Sequence, residues 1–225
     1  MTTLLLAMAG CGTGDKANTE TDVIAVDVRK NYPEKEIRLQ DVFHVEYVPL
    51  ETNDEFITSA NIKAISAHYI VTTNMGSDGD IFLFDRKTGK GIRKINHKGQ
   101  GEGEYSQAVF VNIDEAKDEM FVNDYPARKI YVYDLSGNFK RKLDLPGDGY
   151  YYQNTLNYDS GHLISEIWRE NKLGIAILSK QDGSLTRELL TPASQELSPI
   201  FTEGELAVTP PYYMIFQTKE GWEMV

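Results

Sequence analysis

Hydrophobic stretches that run into a polar turn and then a glycine recur three times along the chain. They begin at Ile81 (IFLFDRKTGK), Ile130 (IYVYDLSGN) and Ile175 (IAILSKQDG), so their starts lie 49 and 45 residues apart. A repeat of about 40 to 50 residues is the length of one four-stranded propeller blade. The pattern therefore predicts an all-β fold, a β-propeller built of four-stranded antiparallel blades.

Alternating apolar and polar positions divide the chain further. The predicted segments are N-terminal strands within 23–60, blades over 61–97, 108–145 and 155–190, and a partial blade over 200–225. Residues 43–50 (FHVEYVPL) alternate with a period of two and predict a strand, which Pro49 restricts to an edge or a strand end. We expect this N-terminal strand to complete the last blade of the ring.

Glycine-rich connections follow the first two blades. Residues 99–105 (GQGEGEY) and 146–150 (PGDGY) both end on an aromatic residue. Glycine permits a tight crossing of the backbone, and we expect the aromatic ring to fill the interface between two blades. Neither connection has the GxGxxG or GxxxxGK[ST] spacing, and no strand-loop-helix unit surrounds them, which argues against nucleotide binding.

The N-terminus resembles the end of a bacterial lipoprotein signal peptide. Residues 4–9 (LLLAMA) are apolar, and Gly10 precedes Cys11, the sole cysteine of the chain. This run is too short to cross a membrane as a helix, and it is shorter than the apolar part of an ordinary signal peptide. We expect a shortened signal peptide over 1–11, a lipid on Cys11 and a flexible tether over 12–22. The alternative is an incidental cysteine in a short apolar N-terminus.

Composition and charge narrow the class of partner. The chain contains 41% hydrophobic residues, including 13 Tyr and 9 Phe, which is typical of a globular β-rich protein. Its formal net charge of −11 at pH 7 would repel phosphate backbones, because nucleic-acid binding requires clustered Lys and Arg. The sequence therefore predicts no nucleic-acid partner.

Two acidic clusters at strand ends are the candidate ligand-binding residues. Asp78 and Asp80 precede the third strand of the first blade, and Asn123 and Asp124 occupy the expected equivalent point of the second. Loops at equivalent places in successive blades would converge on one face, where these oxygen atoms would bind Ca²⁺ or sugar hydroxyl groups. Ordinary Asx turns at strand ends are the alternative.

Aromatic side chains are a second candidate for sugar binding, since their rings stack on sugar faces when exposed; packing between blades is the alternative. They are Tyr150, Tyr151, Tyr152, Trp168, Tyr212 and Tyr213. The four histidines are scattered without metal-site spacing, and no GxSxG motif is present. The sequence therefore predicts no catalytic residue and no cofactor, apart from the Ca²⁺ alternative at the acidic clusters.

Three segments carry a family resemblance: 45–52 (VEYVPLET), 79–105 (GDIFLFDRKTGKGIRKINHKGQGEGEY) and 129–143 (KIYVYDLSGNFKRKL). They resemble the six-bladed β-propeller lipoproteins of Bacteroides-type gut Gram-negative bacteria and, more distantly, NHL-type repeats. The resemblance covers 24–190. It implies a six-bladed parent fold and a cell-envelope location, with a lipid anchor in the outer membrane and a periplasmic or surface-facing domain.

Two functions are consistent with this resemblance. The first is a non-enzymatic binding scaffold for a glycan, peptide or protein ligand. The second is an enzyme such as a lactonase or polysaccharide lyase with its site on the channel face, which rests on fold analogy alone. Six blades need about 250 to 300 residues, whereas 175 residues follow Leu50 (225 minus 50). We expect about three and a half blades in a truncated chain or split gene product; the alternative is two chains that complete one ring.

Overall fold

The computed structural model describes residues 27, 29–75, 78–147, 150–169, 172–190, 200–202, 205–207, 215–217 and 221–224. The chain divides into two compact units, Met1–Glu46 and Tyr47–Val225. The first contains one short helix, α1 (Leu39–Val42), which buries no residue. Among the described residues, no helix has both the length and the apolar character needed to cross a membrane. Cys11 and residues 1–26 lie outside the described residues, so the lipid site and tether stay predictions.

The described residues of the second unit form three four-stranded antiparallel sheets and two hairpins, and each sheet follows the order of its strands in the chain. The first sheet contains β1 (Asn61–Ile65), β2 (Tyr69–Thr73), β3 (Ile81–Asp85) and β4 (Gly91–Ile95). The second contains β5 (Phe110–Asp114), β6 (Glu119–Asp124), β7 (Lys129–Tyr133) and β8 (Phe139–Asp144), with a 3₁₀ helix at Glu115–Lys117 between β5 and β6. The third contains β9 (Tyr151–Asn157), β10 (His162–Arg169), β11 (Lys172–Ser179) and β12 (Leu185–Leu190). The hairpins pair β13 (Ile200–Thr202) with β14 (Glu205–Ala207), and β15 (Ile215–Gln217) with β16 (Trp222–Met224).

This arrangement confirms the predicted fold class, and we call the three sheets blade 1, blade 2 and blade 3. The first strands of successive blades contact each other, β1 against β5 and β5 against β9. These strands therefore form the inner edges of the blades. The fourth strands, β4, β8 and β12, are the outer edges.

The repeated turn after each third strand has a local cause. In blade 1 the Asp85 carboxylate accepts hydrogen bonds from the backbone N–H groups of Lys87 and Thr88, at 3.1 and 2.7 Å, and Gly89 follows with φ +71°. Asp134 and Gly137 repeat this arrangement in blade 2, where φ of the glycine is +91°. An Asx turn followed by a left-handed glycine explains why an acidic residue and a glycine recur in the sequence.

Apolar cores lie between successive blades. Val71, Ile81 and Leu83 of blade 1 pack with Val111 and Met120 of blade 2 in one buried cluster. A second cluster joins blade 2 to blade 3 and includes Phe121, Val132, Leu143, Leu163 and Leu178. Because blade 2 buries one face against blade 1 and the other against blade 3, its central strands are apolar on both sides.

The aromatic residues of the two connections lie in these interfaces, as the sequence predicts. Tyr105 is fully buried in the cluster between blades 1 and 2. Tyr150 is buried in the cluster between blades 2 and 3. Gly103, in the first connection, has φ +76°, and a Cβ added there would lie 2.7 Å from the Phe139 ring. A glycine is therefore required at this position.

The strand predicted over 43–50 is wrong, because these residues belong to no sheet. Val48 and Leu50 instead pack against a cluster that contains Phe82 and Phe84, on the face of blade 1 that points away from blade 2. The backbone N–H of Glu51 donates a 2.8 Å hydrogen bond to the carbonyl oxygen of Gly89. The alternating pattern thus arises because this segment packs side chains on the face of blade 1, and not because it pairs with a neighbouring strand. Of the segment 23–60 in which the sequence predicts N-terminal strands, residues 23–26 and 28 lie outside the described residues.

Candidate functional site: two cavities at one end of the blades

The loops at one end of the blades form the candidate site. Because neighbouring strands are antiparallel, the β2–β3 loop lies at the same end as the connection that leaves β4 and enters β5. The β6–β7 turn and the connection after β8 occupy this end in blade 2. We call it the connection end. Two cavities open there, at successive blades.

The first cavity, of about 430 Å³, lies between the inner strand of blade 1 and the start of blade 2. Asn61 and Lys63 line it from β1, Asp78 and Asp80 from the β2–β3 loop, and Gln107 and Val109 from the connection into β5. This cavity contains the first predicted acidic cluster. It also contains a lysine that no sequence motif indicated.

Both acidic side chains of the first cavity are engaged by neighbouring residues. Asp78 accepts hydrogen bonds from Asn74 Nδ2 at 2.6 Å and from the backbone N–H of Asp80 at 3.1 Å. Asp80 accepts one from Asn96 Nδ2 at 2.7 Å and forms a 2.8 Å ion pair with Lys94 Nζ. Burial acts to raise the pKa of Asp78, but these hydrogen bonds and the Lys94 charge outweigh it and hold that pKa below its usual value.

Lys63 occupies an irregular position in the innermost strand. In the β1–β2 ladder Ile62 pairs with Thr72 and Ala64 pairs with Val71, so Lys63 is the extra residue of a β-bulge. A bulge leaves one residue without a ladder partner and changes the direction of its side chain. Burial lowers the pKa of Lys63, and no neighbouring charge opposes that shift. Among the described residues, the Lys63 side chain has no hydrogen-bond or ion-pair partner.

The second cavity, of about 420 Å³, lies between the glycine-rich connection and blade 2. Residues 99–104 form one wall, and Asp124, Lys129 and Lys142 lie opposite. Asp124 is only 1% exposed. Its two carboxylate oxygen atoms accept hydrogen bonds from the backbone N–H and the hydroxyl group of Ser106, at 2.6 and 2.8 Å. Asp124 therefore ties the connection to blade 2.

The four predicted ligand-binding residues do not converge on one point. Asp78 and Asp80 line the first cavity, and Asp124 lines the second. Asn123 is buried and donates a 3.0 Å hydrogen bond to Thr155 Oγ1 of blade 3. The ladder explains the difference, because Asn123 pairs with Ile130 as Thr73 pairs with Ile81. Asn123 and Asp124 thus correspond to Thr73 and Asn74, and not to Asp78 and Asp80; their role in ligand binding stays a prediction.

A calcium site gains no support from these positions. Within the described part of the chain, no three His, Cys, Asp or Glu side chains lie close enough together to hold a metal ion. All four carboxylate oxygens of Asp78 and Asp80 already have protein partners. An Asx turn accounts for Asp78, whose Oδ1 accepts the N–H two residues on.

The candidate aromatic residues divide into buried and exposed members. Tyr150 and Tyr152 are buried in the interface between blades 2 and 3, where their rings stack at 5.8 Å. Tyr151 and Trp168 are 50% and 49% exposed and lie opposite each other in the β9–β10 ladder. The Tyr125 ring lies 5.8 Å from that of Tyr151. Tyr212 and Tyr213 lie outside the described residues.

The histidines occupy separate places. His68 binds Glu115 through Nδ1, at 2.9 Å, where blades 1 and 2 meet at the end opposite the cavities. His97 stacks on the Tyr133 ring with 4.9 Å between ring centroids. His162 pairs with Asp159 in the same blade. His44 makes no hydrogen bond or ion pair with the other described residues. In the described residues these side chains therefore form no common site.

The blades, their apolar interfaces and the cavities at the connection end define this chain as a β-propeller protein. The chain belongs to the domain family DUF4934, a domain of unknown function, which it matches over residues 23–215. None of the curated protein sequences compared with the chain matches it.

A solved structure agrees with this fold. The crystal structure of the Bacteroides fragilis NCTC 9343 protein named "Putative exported protein" is similar, with a TM-score of 0.56 and 14% sequence identity. The similarity covers 80% of this chain and 53% of that protein, so the chain spans about half its length. The WD40 repeats of RRP9 have a TM-score of 0.43 and 12% identity, over 59% of this chain and 39% of theirs. At 14% identity the likeness to the Bacteroides fragilis protein supports the fold alone.

Proposed function

We propose that this chain is a non-enzymatic cell-envelope protein, anchored in the outer membrane through a lipid on Cys11, whose propeller binds a glycan, peptide or protein ligand. The observation that carries the binding role is the pair of cavities, of about 430 and 420 Å³, which open at the same end of successive blades. Cavities of this size at loops carried by a rigid sheet are suited to ligand binding.

Three further observations support the envelope location. The apolar run before Cys11 has the order of a lipoprotein signal peptide. The segments quoted above resemble envelope lipoproteins. The Bacteroides fragilis protein of similar fold carries a name that refers to export. The six-bladed ring implied by the family resemblance also belongs to this proposal.

The enzyme alternative stays a prediction without an observation in its favour. Burial raises the pKa of Tyr105 to about 12, and its hydroxyl donates a 2.7 Å hydrogen bond to the carbonyl oxygen of Gly79. Tyr152 is held similarly by the Pro146 carbonyl oxygen, at 2.9 Å. Tyrosines held in this way are poor general bases near neutral pH, since they keep their protons.

Two experiments test the proposal. The first exposes the purified chain to arrays of glycans and peptides and, in parallel, screens it for hydrolase and lyase turnover. Saturable binding without turnover is expected; turnover of a bound sugar would support the enzyme instead.

The second experiment follows the anchor. Expression in a Gram-negative host with alkyne-tagged palmitate, behind a complete lipoprotein signal peptide that ends at Gly10, should label the wild-type chain and leave Cys11→Ser unlabelled. Equal labelling of the two proteins, or none of the wild type, would contradict the lipid anchor.

A further inference from the structure

The first cavity combines a lysine that has no ion-pair partner among the described residues with two carboxylates whose oxygen atoms are already bound by other groups. The Lys63 side chain has no hydrogen-bond or ion-pair partner among the described residues. The oxygen atoms of Asp78 and Asp80 are taken by Asn74, Lys94, Asn96 and a backbone N–H. A partly buried ammonium group without a partner loses solvation and gains nothing in return. An anionic group from outside the described residues would give Lys63 the partner that it lacks.

The β-bulge explains how Lys63 reaches this place. In a regular ladder the residue between Ile62 and Ala64 would pair with β2, but here the register passes over it. Bulges are often found beside functional sites, because they redirect a side chain. The bulge places Lys63 on the innermost strand, at the wall of a cavity of about 430 Å³. The bulge is thus a local departure from the regular ladder that falls at the one lysine of this cavity's described lining.

Neutral polar groups lie on both sides of Lys63. Asn61 lines the same cavity from two residues earlier in β1, and Gln107 lines it from the connection into β5. In the described part of the chain, neither side-chain amide makes a hydrogen bond. Amides both donate and accept, so they suit hydroxyl groups as well as carboxylates. Ala108 and Val109 add apolar surface beside them.

We infer that Lys63, Asn61 and Gln107 form a binding subsite for a uronate residue of an acidic glycan. The ammonium group would bind the sugar carboxylate, the two amides its hydroxyl groups, and the apolar wall its C–H face. The inference rests on the proposed binding function and specifies its ligand class.

The test uses matched oligosaccharides that differ only at C6, a carboxylate in the uronate form and a hydroxymethyl group in the neutral hexose form. Binding to the full chain is measured by array and then by calorimetry. The uronate oligosaccharide should bind, and its neutral counterpart should bind at least about tenfold more weakly, as expected for loss of a charge-assisted hydrogen bond. Lys63→Gln should remove this preference.

Two variants control for charge and for folding. Lys87→Gln removes the same charge from an exposed position in the β3–β4 turn, at the end opposite the cavity, and should leave the preference unchanged. Asn61→Asp places a carboxylate beside Lys63 without changing the side-chain size and should also abolish uronate binding. Thermal unfolding of each variant shows that the fold is retained.

The outcomes separate the inference from the function on which it rests. Equal binding of uronate and hexose forms, or uronate binding that survives both Lys63→Gln and Asn61→Asp, overturns the subsite while the scaffold function stands. Binding of acidic peptides alone also overturns it. If no glycan, peptide or protein binds the wild-type chain, the proposed function fails as well.

Discussion

The hydroxyl group of Tyr133 in β7 donates a 2.7 Å hydrogen bond to the carbonyl oxygen of Gly103 in the connection between blades 1 and 2. Tyr105 makes a bond of the same length to Gly79 in the β2–β3 loop. Both glycines have positive φ, +76° and +85°. Buried tyrosines therefore fix the glycine-rich backbone at the connection end, where the cavities open.

Removal of the Tyr133 hydroxyl should destabilise the protein. Tyr133→Phe leaves the buried carbonyl oxygen of Gly103 without this donor, and we expect the free energy of unfolding to fall by about 1 to 2 kcal/mol. Urea unfolding followed by tryptophan fluorescence measures the change. The matched control is Tyr151→Phe, whose side chain is half exposed and which should unfold like the wild type. Equal effects of the two substitutions would contradict a structural role for the Tyr133 hydroxyl.

Gly103→Ala, in the connection between blades 1 and 2, should also lower the stability of the protein. The added methyl group meets the Phe139 ring at 2.7 Å in a left-handed backbone conformation. We expect a loss of about 1 to 3 kcal/mol in the free energy of unfolding. Gly161→Ala is the control, because its Cβ would first meet the Asp159 carboxylate, at 3.7 Å. A Gly103→Ala protein as stable as Gly161→Ala would show that the connection adapts freely.

Glu119 should contribute a defined part of the pH dependence of stability. Burial acts to raise its pKa, but Arg141, at 2.6 and 3.0 Å, and Lys140, at 3.0 Å, outweigh burial and lower it from 4.5 to about 2. Since the pKa is lower in the folded state, this stabilisation is complete above about pH 4.5 and is lost as the pH falls towards about 2.

Glu119→Gln removes that contribution. The variant should be less stable than the wild type at pH 7, and the difference should shrink as the pH is lowered from 4.5 towards 2. Urea midpoints at several pH values for both proteins give this difference directly, because the other carboxylates titrate in both. A constant difference over this pH range would rule out the lowered pKa.

Asp124→Ala should destabilise the protein equally with and without calcium. Both carboxylate oxygen atoms of Asp124 accept hydrogen bonds from Ser106. The substitution removes these two bonds, which hold the connection between blades 1 and 2 on blade 2. We expect a decrease of about 1 to 3 kcal/mol in the free energy of unfolding, as for a buried charged acceptor. Thermal unfolding in calcium chloride and in chelator measures it, with Asp80→Ala in parallel. A calcium-dependent rise in melting temperature that either substitution removes would instead support a metal site.

Much of the blade architecture could be predicted because its signals are local. The turn after β3 depends on hydrogen bonds from Lys87 and Thr88 to Asp85 and on a left-handed glycine at Gly89, all within five residues. Local bonds of this kind leave a pattern in the sequence wherever the turn recurs. The prediction of a strand over 43–50 is wrong for the opposite reason. Alternation shows that one side of a segment is buried, but it does not show which other part of the chain covers that side.

The repeat, the strand-turn-glycine unit and the aromatic residue that closes each connection could all be predicted from the sequence. They depend on backbone conformations and side chains that lie close together in the chain. Which polar groups meet, by contrast, depends on how the separate strands pair and pack. The register of β1 and β2 makes Lys63 a bulge residue, and the ladder aligns Asp124 with Asn74. Register is set by pairing between separate strands and by packing between blades. The cavity that Lys63 lines therefore cannot be recognised from the acidic residues or from the NIKAI segment of β1 alone.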